Sequence, residues 1–114
     1  LNGVRYVDTT PGGGVATDGE PAIAFTGEVD RIYDAAPAGL AVDAPDGWLQ
    51  IATEGFPETV VWNPGAGRCA TIRDLPADGF QHYVCVEAAA ALAPITVAPG
   101  AVWTGRQTLT WRPA

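Results

Sequence analysis

Fourteen glycines and ten prolines interrupt a chain of 114 residues. That density of breakers leaves little room for long helices and cuts the chain into short segments bounded by turns. Within the segments, apolar and polar residues alternate with the period of two that marks half-buried strands. Strands are predicted over Gly3–Asp8, Ala22–Thr26, Glu28–Tyr33, Leu40–Val42, Trp48–Glu54, Thr59–Trp62 and Tyr83–Glu87. A last hairpin is predicted from Ile95–Ala98 through Pro99-Gly100 to Val102–Trp111. The turns Pro11-Gly12-Gly13-Gly14, Pro45-Asp46-Gly47 and Asn63-Pro64-Gly65 separate them. Asp-Gly is expected to supply the positive φ values of a tight hairpin. The pattern predicts an all-β antiparallel sandwich, with residues 1–114 as a single domain.

The period-2 rule also assigns faces. Val29, Arg31 and Tyr33 fall on one side of their strand, and Glu28, Asp30 and Ile32 on the other. In the last strand Trp103, Gln107, Leu109 and Trp111 share a face, opposite Thr104, Arg106, Thr108, Thr110 and Arg112. One of these faces should be buried and the other solvated. Helix signals are weak. Glu87–Leu92 has helical propensity, but Pro94 ends it and the preceding strand claims its start. Arg68–Leu75 reads as one helical turn or a loop. Trp48, Trp62, Trp103 and Trp111 are expected in the core.

Charge and composition exclude several functions. The net charge is −7, and all six basic side chains are arginine. An acidic chain without lysine repels phosphate backbones and lacks the basic patch that anionic membranes attract, so neither nucleic acid nor membrane is expected as a partner. A hydrophobic fraction of 47% is too high for a disordered segment. No apolar run reaches the length of a membrane helix, and no signal-peptide pattern is visible. Cys69 and Cys85 form no CxxC pair or zinc pattern. They read as free thiols in a cytoplasmic protein, with a disulfide as the alternative. The chain starts at Leu1, which suggests trimming from something longer.

Generic catalytic motifs are absent. Gly12-Gly13-Gly14 is followed by Val15-Ala16-Thr17 and no helix signal, so it is a turn and not a phosphate cradle. The chain has no serine and a single histidine, so no Ser-His-Asp triad can form within it, and no metal site is expected. Two carboxylates stand out. Glu87 sits in Tyr83-Val84-Cys85-Val86-Glu87-Ala88-Ala89, a run with no other charge. Burial there would raise its pKa toward neutrality, where a carboxylate can both take and give a proton. The alternative is a strand end pointing into water. Asp30 lies beside Arg31, and either pairs with an arginine at the surface or contacts a ligand.

Five segments in order resemble the D-hexose-6-phosphate mutarotases (glucose-6-phosphate 1-epimerases) of the aldose 1-epimerase-like proteins. They are Gly3–Asp8, Gly27–Tyr33 (GEVDRIY), Thr59–Pro64 (TVVWNP), Val84–Ala89 (VCVEAA) and Ala98–Leu109 (APGAVWTGRQTL). The resemblance spans this chain but only the C-terminal part of the family's domain, a galactose-mutarotase-like supersandwich. It implies an isomerase that interconverts the α and β anomers of a hexose 6-phosphate by acid–base catalysis, without a cofactor. It makes Glu87 the general base and Asp30 a sugar contact. The family's general acid is a histidine from the preceding part, as are most of the phosphate-holding arginines. His82 matches no family motif and reads as a surface or packing residue. Two other readings remain. One is a truncated, non-catalytic carbohydrate-binding or self-associating module, and the other an unrelated β-sandwich adhesion or sugar-binding domain. Half a sandwich leaves open edges and an apolar face, so a homo-oligomer or a covering partner chain is expected.

Overall fold

Wherever a neighbouring segment can satisfy its backbone groups, a short run between turns becomes a strand. The computed structural model describes residues 1–114 and contains eight strands. They are β1 (Arg5–Asp8), β2 (Val15–Thr17), β3 (Val29–Tyr33), β4 (Leu40–Ala44), β5 (Gly47–Glu54), β6 (Glu58–Asn63), β7 (Cys85–Ala89) and β8 (Arg106–Pro113). One antiparallel sheet runs in the order β2-β1-β3-β6-β7, the other β4-β5-β8. The expected all-β sandwich class is therefore the one observed. No helix is long and apolar enough to cross a membrane.

The β4–β5 hairpin turns at Pro45-Asp46, with Ala44 opposite Gly47. Only Gly47 carries the positive φ, at 152°, so the aspartate does not share it as the Asp-Gly signal implied. A side chain at Gly47 would also strike the Arg112 carbonyl oxygen. At the end of β6, Asn63 is buried and acts as a knot. Its Nδ2 donates to Phe80 O and to Tyr83 O, both at 2.8 Å, and its Oδ1 accepts from Gly65 N at 2.9 Å. That last bond opens the short helix α1 (Gly65–Cys69), which starts earlier than the Arg68–Leu75 reading allowed.

Several expectations fail for identifiable reasons. Ala22–Thr26 is not a strand; Ile23 packs on the core and Phe25 lines a cavity, and no neighbour pairs with their backbone. Ile95–Ala98 is likewise unpaired, since β8 lies along β5 over eight residues instead, from Gly47↔Pro113 to Glu54↔Arg106. Only the turn survives there, as Ala101 N donates to Ala98 O. The helical propensity after Glu87 yields to pairing with β6, which carries β7 on to Ala89. Strand β2 was missed because its three residues are all exposed and give no alternation.

The sheets stand apart. Gln107 Nε2 reaches across to Val86 O at 3.0 Å, but much of the space between the sheets is open. A cavity of about 520 Å³ there is lined by Ile23, Phe25, Leu40, Val42, Val61 and Val86, among others. The buried core is small: Val29, Tyr33 and Val61, with Leu1, Val4, Tyr6, Ile23 and Val84 packed against it. Trp48, Trp103 and Trp111 are 38%, 39% and 50% exposed, which corrects their assignment to the core. Trp103 lies before β8 rather than on its Gln107 face, and packs edge-on against Phe56 at 5.0 Å. Leu109 and Trp111 do share a face, yet both are exposed, because what would bury them is not supplied by the first sheet.

Candidate active site on the outer face

Register fixes which side chains can meet. In the five-stranded sheet Asp30 pairs with Trp62 and Trp62 with Cys85, making one cross-strand row. Ile32 pairs with Val60 and Val60 with Glu87, making the next row on the same face. The intervening residues Val61 and Val86 line the cavity between the sheets, so this face is the outer one. Asp30 and Glu87 thus share a face, two strands and two residues apart. Strand spacing and rise place their Cα atoms roughly 12 Å from each other. Between them lie Ile32, Val60 and Trp62, an apolar floor with a carboxylate at two of its corners. Two carboxylates flanking one apolar surface make this face the candidate site for a small polar molecule.

Glu87 is exposed and Asp30 half-buried. The apolar run around Glu87 does not bury it, because Val86 and Ala88 point to the opposite face. Its charge is felt next door: burial, and then the Glu87 carboxylate, push the half-buried Cys85 thiol above its usual pKa. Asp30 makes no ion pair with Arg31, whose guanidinium lies on the inner face. There Arg31 stands 4.6 Å from the centre of the Tyr6 ring and 3.5 Å from Asp18 Oδ2. Tyr33 OH donates to Asp18 Oδ2 at 2.6 Å. Burial and this bond push the Tyr33 phenol up to about 12. The free-thiol reading of the cysteines agrees with the structure, in which both are unpaired.

One carboxylate of note carried no sequence signal. Glu58 is fully buried on the outer face, opposite Ala89, where the chain leaving β7 folds over it. Its carboxylate accepts backbone N–H groups from Ala91, from Leu92 at 2.8 Å and from Ala93 at 2.6 Å. Burial alone would raise its pKa, but the three donors outweigh that and hold it below the ordinary range. Glu58 therefore fixes the segment that closes the outer face at the Glu87 end. It reads in sequence as an ordinary charged strand terminus, so nothing short of the register could have found it. His82 is 69% exposed beside Asp78, at the end of the 3₁₀ turn Gly79–Gln81, and lies on neither row.

Comparison with known proteins follows the same outline. The chain is 34% identical, over its whole length, to a "Putative glucose-6-phosphate 1-epimerase" from Cenchrus ciliaris. It is 31% identical over 81% of its length to one of the same name from Salmonella typhimurium. It spans about a third of each, 35% and 32% respectively. Its fold superposes on the crystal structure of a "putative mutarotase (YeaD)" from Salmonella typhimurium with a TM-score of 0.85 and 27% identity. That match covers 98% of this chain and 39% of the other. No protein-family model matches the chain. The resemblance read from the five segments is thus found again in whole-chain sequence similarity and in the fold.

Proposed function

We propose that this chain carries the general base and one sugar contact of a hexose 6-phosphate mutarotase. The observation that supports this most is the shared outer face of Asp30 and Glu87, in a fold and sequence similar to proteins named as glucose-6-phosphate 1-epimerases. In the proposed reaction Glu87 removes the proton from the anomeric hydroxyl. The C1–O5 bond breaks as a general acid protonates O5, leaving the open-chain aldehyde. Rotation about C1–C2 and the reverse proton transfers close the other anomer, so no cofactor is consumed. Asp30 accepts a hydrogen bond from a ring hydroxyl and fixes the sugar over the apolar floor.

Neither row of the outer face contains a histidine, so in this reading the acid comes from another segment, as does most of the phosphate site. The same segment, or a second protein chain, covers the open space between the sheets. A cytoplasmic setting suits both hexose phosphates and free thiols. The alternative, a non-catalytic sugar-binding or self-associating module, draws on the same open face.

The test is to graft residues 1–114 in place of the matching third of the Cenchrus ciliaris relative. Anomer exchange of glucose 6-phosphate is then followed by NMR exchange spectroscopy. The graft should accelerate exchange, and Glu87→Gln should reduce the rate by 10² or more, within the range of general-base contributions. An unchanged rate in Glu87→Gln would remove Glu87 from the mechanism. A graft that folds and binds sugar without turnover would favour the non-catalytic module.

A further inference from the structure

We infer that Trp62 is the platform on which the sugar ring stacks, a role that rests on the mutarotase reading of the same face. Trp62 occupies the central strand of the site, directly between Asp30 and Cys85 in cross-strand register and one row from Glu87. It is the only aromatic residue of β3, β6 and β7 on the outer face, since Tyr33 is turned inward and fully buried. Trp62 is only partly buried, unlike its neighbours Val61 and Asn63. Its ring is braced at one edge by Tyr83, with centroids 6.0 Å apart and planes inclined at 46°. Tyr83 is itself tied down, because its carbonyl accepts from the buried Asn63 amide.

This gives the run Trp62-Asn63-Pro64-Gly65 a division of labour. Asn63 faces inward, opens α1 and fixes Tyr83; Trp62 faces outward and is held by what Asn63 fixes. A fixed indole face is electron-rich and attracts the C–H groups that line one side of a pyranose ring. The hydroxyls then project sideways, toward carboxylates at the flanks, and Asp30 and Glu87 stand at such positions. The ligand class is an aldohexopyranose with a continuous C–H face, and a tryptophan at this position would select it over open-chain or furanose sugars.

The experiment is an NMR titration, with glucose 6-phosphate, of the graft of residues 1–114 into the Cenchrus ciliaris relative, observing the indole N–H signals of Trp48, Trp62, Trp103 and Trp111, that of Trp62 assigned from Trp62→Phe. The expected result is a saturable shift of the Trp62 signal with Trp48, Trp103 and Trp111 unmoved. Cross-relaxation between sugar C–H protons and the Trp62 ring should appear in the unmodified graft, which makes the result independent of any variant's folding. Trp62→Leu should weaken binding by about tenfold or more, and Trp62→Phe by less, as a smaller aromatic face retains part of the stacking. Saturable shifts at the Asp30 and Glu87 amides without any at Trp62 would overturn the platform while leaving the mutarotase reading intact. No saturable shift anywhere on the outer face would overturn both.

Discussion

Glu58 shows how a single buried charge can be tolerated. Its carboxylate is fully buried, yet three backbone donors meet it. Removing such a group leaves those donors unsatisfied inside the protein, at a cost of about 1–3 kcal/mol for each group that finds no new partner. Glu58→Ala should therefore destabilise the fold by roughly 3 kcal/mol or more in urea unfolding if all three donors are left unpaired. The pH dependence has a definite sign. Because the folded pKa lies below the unfolded one, the stabilisation is fully present above the ordinary glutamate pKa and is lost as pH falls through the folded value. The gap between wild type and Glu58→Ala should narrow in acid; a constant gap from neutral pH into acid would contradict this. Tyr33 runs the other way. Its phenol is raised to about 12, so its contribution is complete below the ordinary tyrosine pKa and fades as pH rises toward 12. Burial raises the Tyr83 phenol as well, so ultraviolet titration should show a late phase that reaches toward pH 12, and Tyr33→Phe should remove the Tyr33 share of it. An unchanged late phase in Tyr33→Phe would refute the assignment.

Strands and turns divide into those the sequence specifies and those the tertiary structure imposes. β3, β5 and β6 were legible because their apolar residues alternate and Gly or Pro marks their ends. Their faces were legible for the same reason, and with them the placement of Asp30 and Ile32 opposite Val29 and Tyr33. β2 and the true extent of β7 were not legible, since pairing with a neighbour decided them rather than local pattern. Cross-strand register was also hidden, so the meeting of Trp62 with Asp30, and of Glu58 with the Ala91–Ala93 amides, came only from the fold. Gly47 illustrates the specified kind. Its φ of 152° and the nearby Arg112 carbonyl both exclude a side chain. Gly47→Ala should destabilise by about 1–3 kcal/mol through backbone strain, and by more if β8 must shift. Loss of amide-exchange protection should concentrate at the Gly47 end of β5 and β8. Unchanged protection there, together with unchanged stability, would show that the hairpin tolerates the substitution.

At the scale of the whole molecule, surface area is the informative quantity. The chain exposes 7242 Å², whereas a folded monomer of 11.8 kDa is expected to expose about 5,900 Å². Its radius of gyration is 15.4 Å against about 13 Å for a typical domain of this length. The excess comes with Leu109 and Trp111 left 58% and 50% exposed and with the open space between the sheets. An excess of roughly 1,300 Å² exceeds the ~800 Å² that each partner contributes to a standard interface, so a covering surface could bury most of it. Only 12 of 114 residues are buried, and a surface that covered the open face would enlarge that core and so favour the folded state. The 114-residue chain should accordingly associate at micromolar concentration in sedimentation velocity, and its thermal midpoint should rise with protein concentration. Leu109→Asp combined with Trp111→Asp places charge on the β8 face without touching the Asp30–Glu87 face. This variant should shift the population toward monomer and lower the thermal midpoint at a concentration where the parent is associated. A parent chain that remains strictly monomeric, with β8 amides slow to exchange, would show that the open face is stable in water and needs no cover.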